Sequence, residues 1–331
     1  MIYTVTMNPA IDCAMAVSAL SVGRVNRTES QTLRFGGKGI NVSYVLKQFG
    51  GKSVLTGFTA GFTGDALSDG LTKEGFDCDF VHLTEGNTRI NVKLTGNTDS
   101  GDPDTELNAP GPSHSAEELQ KLTDKLARLT PDDAVVLAGS MPRGVPSDYI
   151  KTISDALPDG VSFICDLSGD ALRTALTVSP DFVKPNVHEL YELMGIDATL
   201  ENLRDRTLIE SCAAKLIQMD TKNVLITMGE DGGFYVTANG ESGFVSPPKF
   251  HGVADTSCSA VGCGDSAVAG WLIGIGFAGD NVRSSTLTAA GISDAKSPAR
   301  SAAELAILLG STSYFYGFPA SPEKVINLIN T

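Results

Sequence analysis

Residues 259–266 read Ser259-Ala260-Val261-Gly262-Cys263-Gly264-Asp265-Ser266, and the helical pattern Ala267-Val268-Ala269-Gly270-Trp271-Leu272 follows at once. Two glycines beside small residues let successive backbone N–H groups converge into a nest, and the helix behind adds its positive N-terminal end. Such a turn suits phosphate oxygens whose charge grows in a transition state. An acidic residue is out of place there unless Asp265 is a base that takes a proton from an attacking hydroxyl. The plainer alternative is a Gly-rich turn in which Asp265 merely starts a helix. Spacing alone leaves the two readings equally open.

A second glycine cluster stands far upstream: Phe35-Gly36-Gly37-Lys38-Gly39-Ile40-Asn41-Val42, again a loop opening a helix. It is neither a Walker A loop nor a dinucleotide fingerprint, because both spacings are missing. Three glycines allow close backbone approach to a ligand, while Lys38 and Asn41 offer a cation and a bidentate amide.

Between and around these clusters, strand-like and helix-like segments alternate. Strand patterns fall at 2–6, 53–58, 134–138, 161–165, 182–183 and 223–227. Residues 40–49 repeat apolar positions at helical spacing and stop at Gly50-Gly51. Residues 115–129 make the clearest helix, with Ser115 and Glu118 as a capping box ahead of a leucine stripe. This alternation predicts an α/β fold with a mostly parallel sheet covered by helices on both faces, an α/β/α sandwich. Two stretches, 12–35 and 88–111, break the rhythm with period-two alternation, and predict a few antiparallel strands standing off the main sheet. A polar tip at 97–104 reads as a hairpin, and 291–301 reads as a loop or insertion.

The chain has 331 residues, 42% hydrophobic and 19% charged, so a globular fold with a large core is expected. No apolar run is long enough to span a bilayer and no signal peptide is visible, which leaves a cytoplasmic protein as the expectation. A net charge of −14 argues against nucleic acid or an anionic membrane as a general partner. If such a protein binds phosphates, it must gather its few cations in one place. The six cysteines contain no C-x-x-C pair and read as reduced thiols, and the four histidines are too dispersed for His-based metal catalysis.

The two glycine clusters together carry a resemblance. The chain resembles the ribokinase-like sugar kinases of the phosphofructokinase B family, and within it the bacterial 1-phosphofructokinases. The likeness runs over essentially the whole length. It includes Tyr3-Thr4-Val5-Thr6-Met7-Asn8-Pro9-Ala10-Ile11-Asp12, Val25-Asn26-Arg27, Gly36 to Val42 and Thr88-Arg89-Ile90-Asn91-Val92-Lys93. It continues through Thr105-Glu106-Leu107-Asn108-Ala109-Pro110-Gly111-Pro112, Gly139-Ser140-Met141-Pro142-Arg143-Gly144, Lys184-Pro185-Asn186-Val187-His188-Glu189 and Gly262-Cys263-Gly264-Asp265.

The resemblance implies one ribokinase-like kinase domain over 1–331, with the stretches 12–35 and 88–111 forming a β-lid that also serves as a homodimer surface. It makes Asp265 the catalytic base, with Gly262, Cys263 and Gly264 as a backbone anion hole. On the acceptor side it implies Asp12, Gly37, Asn41 and Ser140 for sugar hydroxyls, and Lys38, Arg89, Arg27 and Lys93 for a phosphate already on the substrate. For ATP it implies Lys184, Asn186, Thr227, Gly229, Gly232 and Gly310, with Glu189 holding Mg²⁺ through water. The sequence departs from the family pattern at Ser259 and Ala260, at Cys263 where alanine is usual, and at the insertion 291–301.

The activity implied is ATP-dependent phosphorylation of fructose 1-phosphate to fructose 1,6-bisphosphate. Tagatose 6-phosphate kinase is the rival within the family. A non-catalytic sugar-phosphate sensor is disfavoured because Asp265 keeps both flanking glycines. A dehydrogenase is disfavoured because the first strand–helix connection lacks the dinucleotide glycines.

Overall fold

The computed structural model describes residues 1–18, 20–95, 105–249, 260–293 and 295–330. The tip at 97–104 and Ser259, both singled out above, lie outside the described residues.

In chain order the strands are β1 (Ile2–Thr6), β2 (Ala10–Ala16), β3 (Ser30–Gly36), β4 (Ser53–Ala60), β5 (Asp77–Leu83), β6 (Arg89–Thr95), β7 (Thr105–Leu107), β8 (Ala134–Ala138), β9 (Ser162–Asp166), β10 (Phe182–Val183), β11 (Asn223–Thr227), β12 (Gly233–Thr237) and β13 (Ser242–Val245). The helices are α1 (Lys38–Gln48), α2 (Gly61–Lys73), α3 (Ala116–Leu126), α4 (Tyr149–Ala156), α5 (Gly169–Ala175), α6 (Val187–Met194), α7 (Leu200–Arg204), α8 (Arg206–Gln218), α9 (Cys263–Ile275), α10 (Asp280–Ala289), α11 (Pro298–Tyr316) and α12 (Pro322–Ile329).

The main sheet runs β13-β12-β11-β10-β9-β8-β1-β4-β5. Strands β5 to β11 are parallel, and β12 and β13 add an antiparallel edge. Strand β8 shows why both faces carry helices. Its Val135 and Leu137 enter one apolar layer with Leu122 of α3, Ile153 of α4 and Ile209 of α8. Its Ala134, Val136 and Ala138 enter the other layer with Val45 of α1, Trp271 of α9 and Leu305 of α11. Side chains alternate along a strand, so a strand apolar at every position must be covered twice. The α/β/α sandwich follows from that pattern. Among the described residues, no helix is long and apolar enough to cross a membrane.

The chain leaves β1 toward β4 on one side and later returns to lay β8 on the other. At this reversal the connections at the carboxyl ends of β1 and β8 diverge and open a crevice. A second sheet, β3-β2-β6-β7, stands beside it.

Two expectations need correction. The stretches 12–35 and 88–111 do supply antiparallel pairs standing off the main sheet, but the two stretches join each other in parallel, β2 with β6 from Ala10↔Arg89 to Ala16↔Thr95. The reason is topological. Strands β2 and β6 both run outward from the same edge of the main sheet, after β1 and β5, while the flanking strands β3 and β7 pair antiparallel. The segment 291–301 is also not all loop, because α11 begins at Pro298. Ser297 caps that helix by accepting from Arg300 N at 3.1 Å, and proline occupies the first turn, where its missing N–H costs nothing.

Candidate functional site

The loop 36–41 sits on the carboxyl end of β1. Gly37 has φ 130°, and Ile40 N donates to Thr6 Oγ1 at 3.1 Å. A Cβ at Gly39 would lie 2.6 Å from that same Thr6 oxygen. Glycine is required for so close an approach, and the approach aims the first turn of α1 across the crevice. Lys38 and Asn41 ride on that turn.

The Gly-rich turn 262–264 faces it. Gly262 is the N-cap of α9 with φ 77°, a left-handed conformation that side chains disfavour. Cys263 N donates to Ala260 O at 3.3 Å, and no side chain caps the helix. The N–H groups of Gly264 and Asp265 therefore have no acceptor within the helix, which closes with Ser266 N donating to Gly262 O at 2.9 Å. Helix α9 is held by close packing on α11: Cβ atoms at Gly270 would come within 2.8 Å of the Ala306 main chain. At Gly310 the clearance to Cys263 O would be 3.3 Å. Small residues thus press the Gly-rich turn against a long buried helix.

Asp265 lies in the first turn of α9, only 5% exposed, and accepts from Asn41 Nδ2 at 2.7 Å. Burial, and then the negative charge of Asp166, push its carboxyl up to about 6; Lys38, the Asn41 hydrogen bond and Lys184 oppose the shift. Asp166, at the carboxyl end of β9, is clasped by Lys184 Nζ at 3.2 Å and Lys38 Nζ at 3.3 Å. Burial opposes its ionisation, yet Lys184 and then Lys38 outweigh burial and hold its carboxyl below the usual range. Conversely, burial opposes the charge on Lys38, but Asp166, Asp265 and Glu189 hold it above the ordinary lysine value. Lys184 Nζ would stand 3.3 Å from a Cβ on Gly264, so this buried ammonium adjoins the nest. Two carboxylates and two lysines thus surround one small volume, where an added phosphate charge meets cations and main-chain donors.

The second sheet turns one polar face toward this volume. Asp12 is opposite Arg34 on one side and Asn91 on the other, and Asn91 Nδ2 donates to Asp12 Oδ1 at 2.9 Å. Burial raises the Asp12 carboxyl, opposed by the Asn91 bond, Arg89 and Arg34. Arg89 spends two donors on the main-chain carbonyls of Asn8 at 2.9 Å and Ala109 at 3.2 Å. Asn8 Oδ1, Asn91 Oδ1 and Arg89 Nε are buried without hydrogen-bond partners among the described residues. Buried orphans of this kind are costly unless a polar ligand completes them. Lys93 lies further along the same face and pairs with Glu106 at 3.9 Å. Ser140 is exposed beside Gly139, whose Cβ would lie 3.6 Å from Lys38 Cβ. Arg27 is exposed in the connection from β2 to β3 and is not brought to the crevice.

On the other flank, Asn186 and Glu189 form a reciprocal capping box on α6: Asn186 Oδ1 accepts from Glu189 N at 2.9 Å and Glu189 Oε2 from Asn186 N at 2.8 Å. A helix-capping role therefore accounts for one oxygen of each side chain. Thr227 N donates to Pro185 O at 3.1 Å, which ties the turn 227–232 to this segment. Within that turn Met228 N donates to Gly232 O at 2.8 Å, while Gly229 opens it in a left-handed conformation.

The sequence analysis missed Asp166, Arg34, Asn91 and Asn8 as individual site residues. A signal existed for Asp166, an acid directly after a buried strand, where ligands of such sheets bind. Asn8 and Asn91 stood inside quoted motifs but had no chemistry assigned. Nothing local marks Arg34, whose place depends on the register between β2 and β3.

Comparisons with known proteins agree with this geometry. Residues 5–284 match the profile described as pfkB family carbohydrate kinase. The chain is 38% identical over 279 residues to the 1-phosphofructokinase of Bacillus subtilis, covering 83% of this chain and 86% of that one. It is 33% identical over 237 residues to the D-tagatose-1-phosphate kinase of Bacillus licheniformis, covering 71% and 75%. Its backbone is similar to the crystal structure of phosphofructokinase-2 from Escherichia coli in complex with fructose-6-phosphate, with a TM-score of 0.80 at 22% identity over 99% and 98% of the two chains.

Proposed function

Because the chain belongs to the pfkB family of carbohydrate kinases, we propose that it transfers the γ-phosphoryl group of ATP to the 6-hydroxyl of fructose 1-phosphate. The product is fructose 1,6-bisphosphate. One observation carries the chemistry: Asp265 is buried beside a helix N-terminus with its carboxyl pushed up to about 6. A carboxylate so placed is ionised at neutral pH and still basic enough to take the hydroxyl proton. As the hydroxyl oxygen bonds to phosphorus, the bond to the ADP oxygen breaks and its electron pair leaves with ADP. Backbone N–H groups around Gly262, Cys263 and Gly264, with Lys184 and Lys38, offset the charge on the phosphoryl oxygens.

The sugar sits against Asp12, Gly37, Asn41, Ser140 and the orphaned amide oxygens of Asn8 and Asn91. Its resident phosphate meets the lid cations Arg89 and Lys93; Arg27, exposed away from the crevice, drops out of this set. ATP lies over Lys184, Asn186, Thr227, Gly229, Gly232 and Gly310. Among the described residues no three acidic, histidine or cysteine side chains converge as a direct metal cage. This fits Mg²⁺ carried mainly by the ATP phosphates, with Glu189 reaching it through water, and Glu189 is near enough to Lys38 to raise its pKa.

The whole chain acts as one kinase domain with 12–35 and 88–111 as the lid, in the cytoplasm. The lid also supplies a homodimer surface. Its outer face presents Leu33, Ile90 and Leu107 at 64%, 44% and 58% exposure, an apolar row that water disfavours.

The Bacillus licheniformis relative favours a rival that differs in the sugar, not the chemistry. By its name it acts on tagatose 1-phosphate. That substrate shares the phosphate at C1 and differs from fructose 1-phosphate at C4. A coupled ADP-release assay with fructose 1-phosphate, tagatose 1-phosphate, tagatose 6-phosphate and fructose 6-phosphate decides the matter. Fastest turnover on a tagatose phosphate overturns the fructose assignment, and no turnover on any of them overturns the ketohexose phosphate.

A further inference from the structure

Arg34 belongs to none of the roles assigned above. It sits in β3 opposite Asp12 of β2, so both side chains leave the lid on one face. Its guanidinium lies over the Phe318 ring, 4.1 Å from the centroid, and stands 5.4 Å from the ring centroid of Tyr44. Phe318 fills the space beside Gly262, where an added Cβ would overlap its ring. One aromatic ring therefore separates the Arg34 guanidinium from the glycine that opens the anion nest. Among the described residues, the Arg34 side chain makes no ion pair and donates no hydrogen bond. It nevertheless lies in the fields of both Asp12 and Asp265.

A half-buried arginine usually spends its fork on a carboxylate or on carbonyls, as Arg89 does. Arg34 is instead packed against the rings of Phe318 and Tyr44, a contact that leaves its donors for another partner. Asp12 and Asp265 are both near enough to act on it, yet neither forms an ion pair with it. A ligand group that accepts a planar fork and carries more negative charge than a carboxylate is a phosphoryl group.

We propose that Arg34 is a further catalytic residue, whose guanidinium, carried on the lid, donates to the oxygens of the phosphoryl group as it passes from ATP to the acceptor. This rests on the kinase reading above. The acceptor O–P bond forms while the P–O bond to ADP breaks, the acceptor proton goes to Asp265, and the leaving electron pair stays on ADP. Arg34 offsets the charge spread over the oxygens in flight, so its contribution grows from bound substrates to the transition state.

The test uses the full-length enzyme with Arg34→Ala and Arg34→Lys. Arg34→Ala should lower kcat about 10²-fold, the scale for removing one transition-state donor, with KM for ATP and sugar phosphate changed no more than about threefold. Millimolar guanidinium should restore part of the lost kcat, which a purely structural defect would not allow. Arg34→Lys should recover less than guanidinium does, since an ammonium cannot reproduce the planar fork. A second readout needs no sugar: ADP affinity with and without aluminium fluoride. Wild type should tighten in aluminium fluoride, and Arg34→Ala should lose about tenfold or more of that tightening with affinity for ADP alone unchanged. Unchanged kcat, or equal losses for ADP alone and ADP with aluminium fluoride, would mean that Arg34 only pins the lid to Phe318. If wild type turns over no ketohexose phosphate but the aluminium fluoride effect depends on Arg34, the acceptor assignment falls and this one stands.

Discussion

Asn41 Nδ2 donates to Asp265 Oδ2 at 2.7 Å and so joins the first turns of α1 and α9 across the crevice. The bond orients the carboxylate through one oxygen, and under the proposed function the second oxygen takes the substrate hydroxyl. It also favours the charged form of a group that burial would rather protonate.

Asp265→Asn should keep ATP affinity and lower kcat by roughly 10²–10⁴, the worth of a positioned base. The same change should stabilise the fold at neutral pH. The Asp265 carboxyl is raised from 3.8 to about 6, so its part in stability is complete below about pH 4 and is lost as pH rises through about 6. An uncharged amide avoids that loss, of the order of 2–3 kcal/mol. Urea unfolding at pH 7.5 and at pH 4.5 checks the sign: the stabilisation should shrink at the lower pH.

In wild type, kcat/KM should fall as pH drops through about 6, when the base takes up a proton. Asp166→Asn should move this limb to lower pH, because the Asp166 charge helps to raise the Asp265 carboxyl. It should also cost about 3–5 kcal/mol by leaving Lys184 buried without its partner. A limb that stays in place would show that the two carboxylates do not sense each other.

Asn186 and Glu189 can be separated by function. Asn186→Ala should cost about 1 kcal/mol of stability through the lost cap. Glu189→Gln keeps an oxygen for the Asn186 N–H, so stability should hold. If Glu189 contacts Mg²⁺ through water, the glutamine variant needs more Mg²⁺ for half-maximal rate. A magnesium titration with unchanged midpoint leaves Glu189 as a cap alone.

Leu107→Glu places a charge in the apolar row outside the lid. Sedimentation should find wild type as a dimer and this variant as a monomer. Identical masses would place the contact between subunits elsewhere.

Much of the fold was legible because buried parallel strands announce themselves. Ile2–Thr6, Ala134–Ala138, Phe182–Val183 and Asn223–Thr227 fall on the residues that the apolar runs marked. The capping box at Ser115 and Glu118 also forms as its spacing implies. What local pattern could not carry was pairing over distance. Parallel β2 and β6 depend on where both strands leave the main sheet, and Arg34 gains its neighbours through register and through Phe318, 284 positions later in the chain by subtraction. The two glycine clusters were visible as turns, but the Asn41–Asp265 bond spans 224 positions and no window contains both. Asp166 lay in plain view after its strand, and it was passed over because an isolated acid has no periodicity.

The pressing of Gly270 and Gly310 against their helical neighbours has a bearing on how the protein is made. The turn that carries Asp265 gains this packing only once α11, ending at Tyr316, has docked on α9. Chains are synthesised from the N-terminus, and early segments can begin to fold before late ones emerge. The strands of the second sheet end at Leu107, so under the proposed function a ribosome-bound chain can lay down most of its sugar-binding side before Asp265 and its glycine turn have been made. On that reading the capacity to split a nucleotide arrives last, when most of the surface that directs it to a productive acceptor already exists.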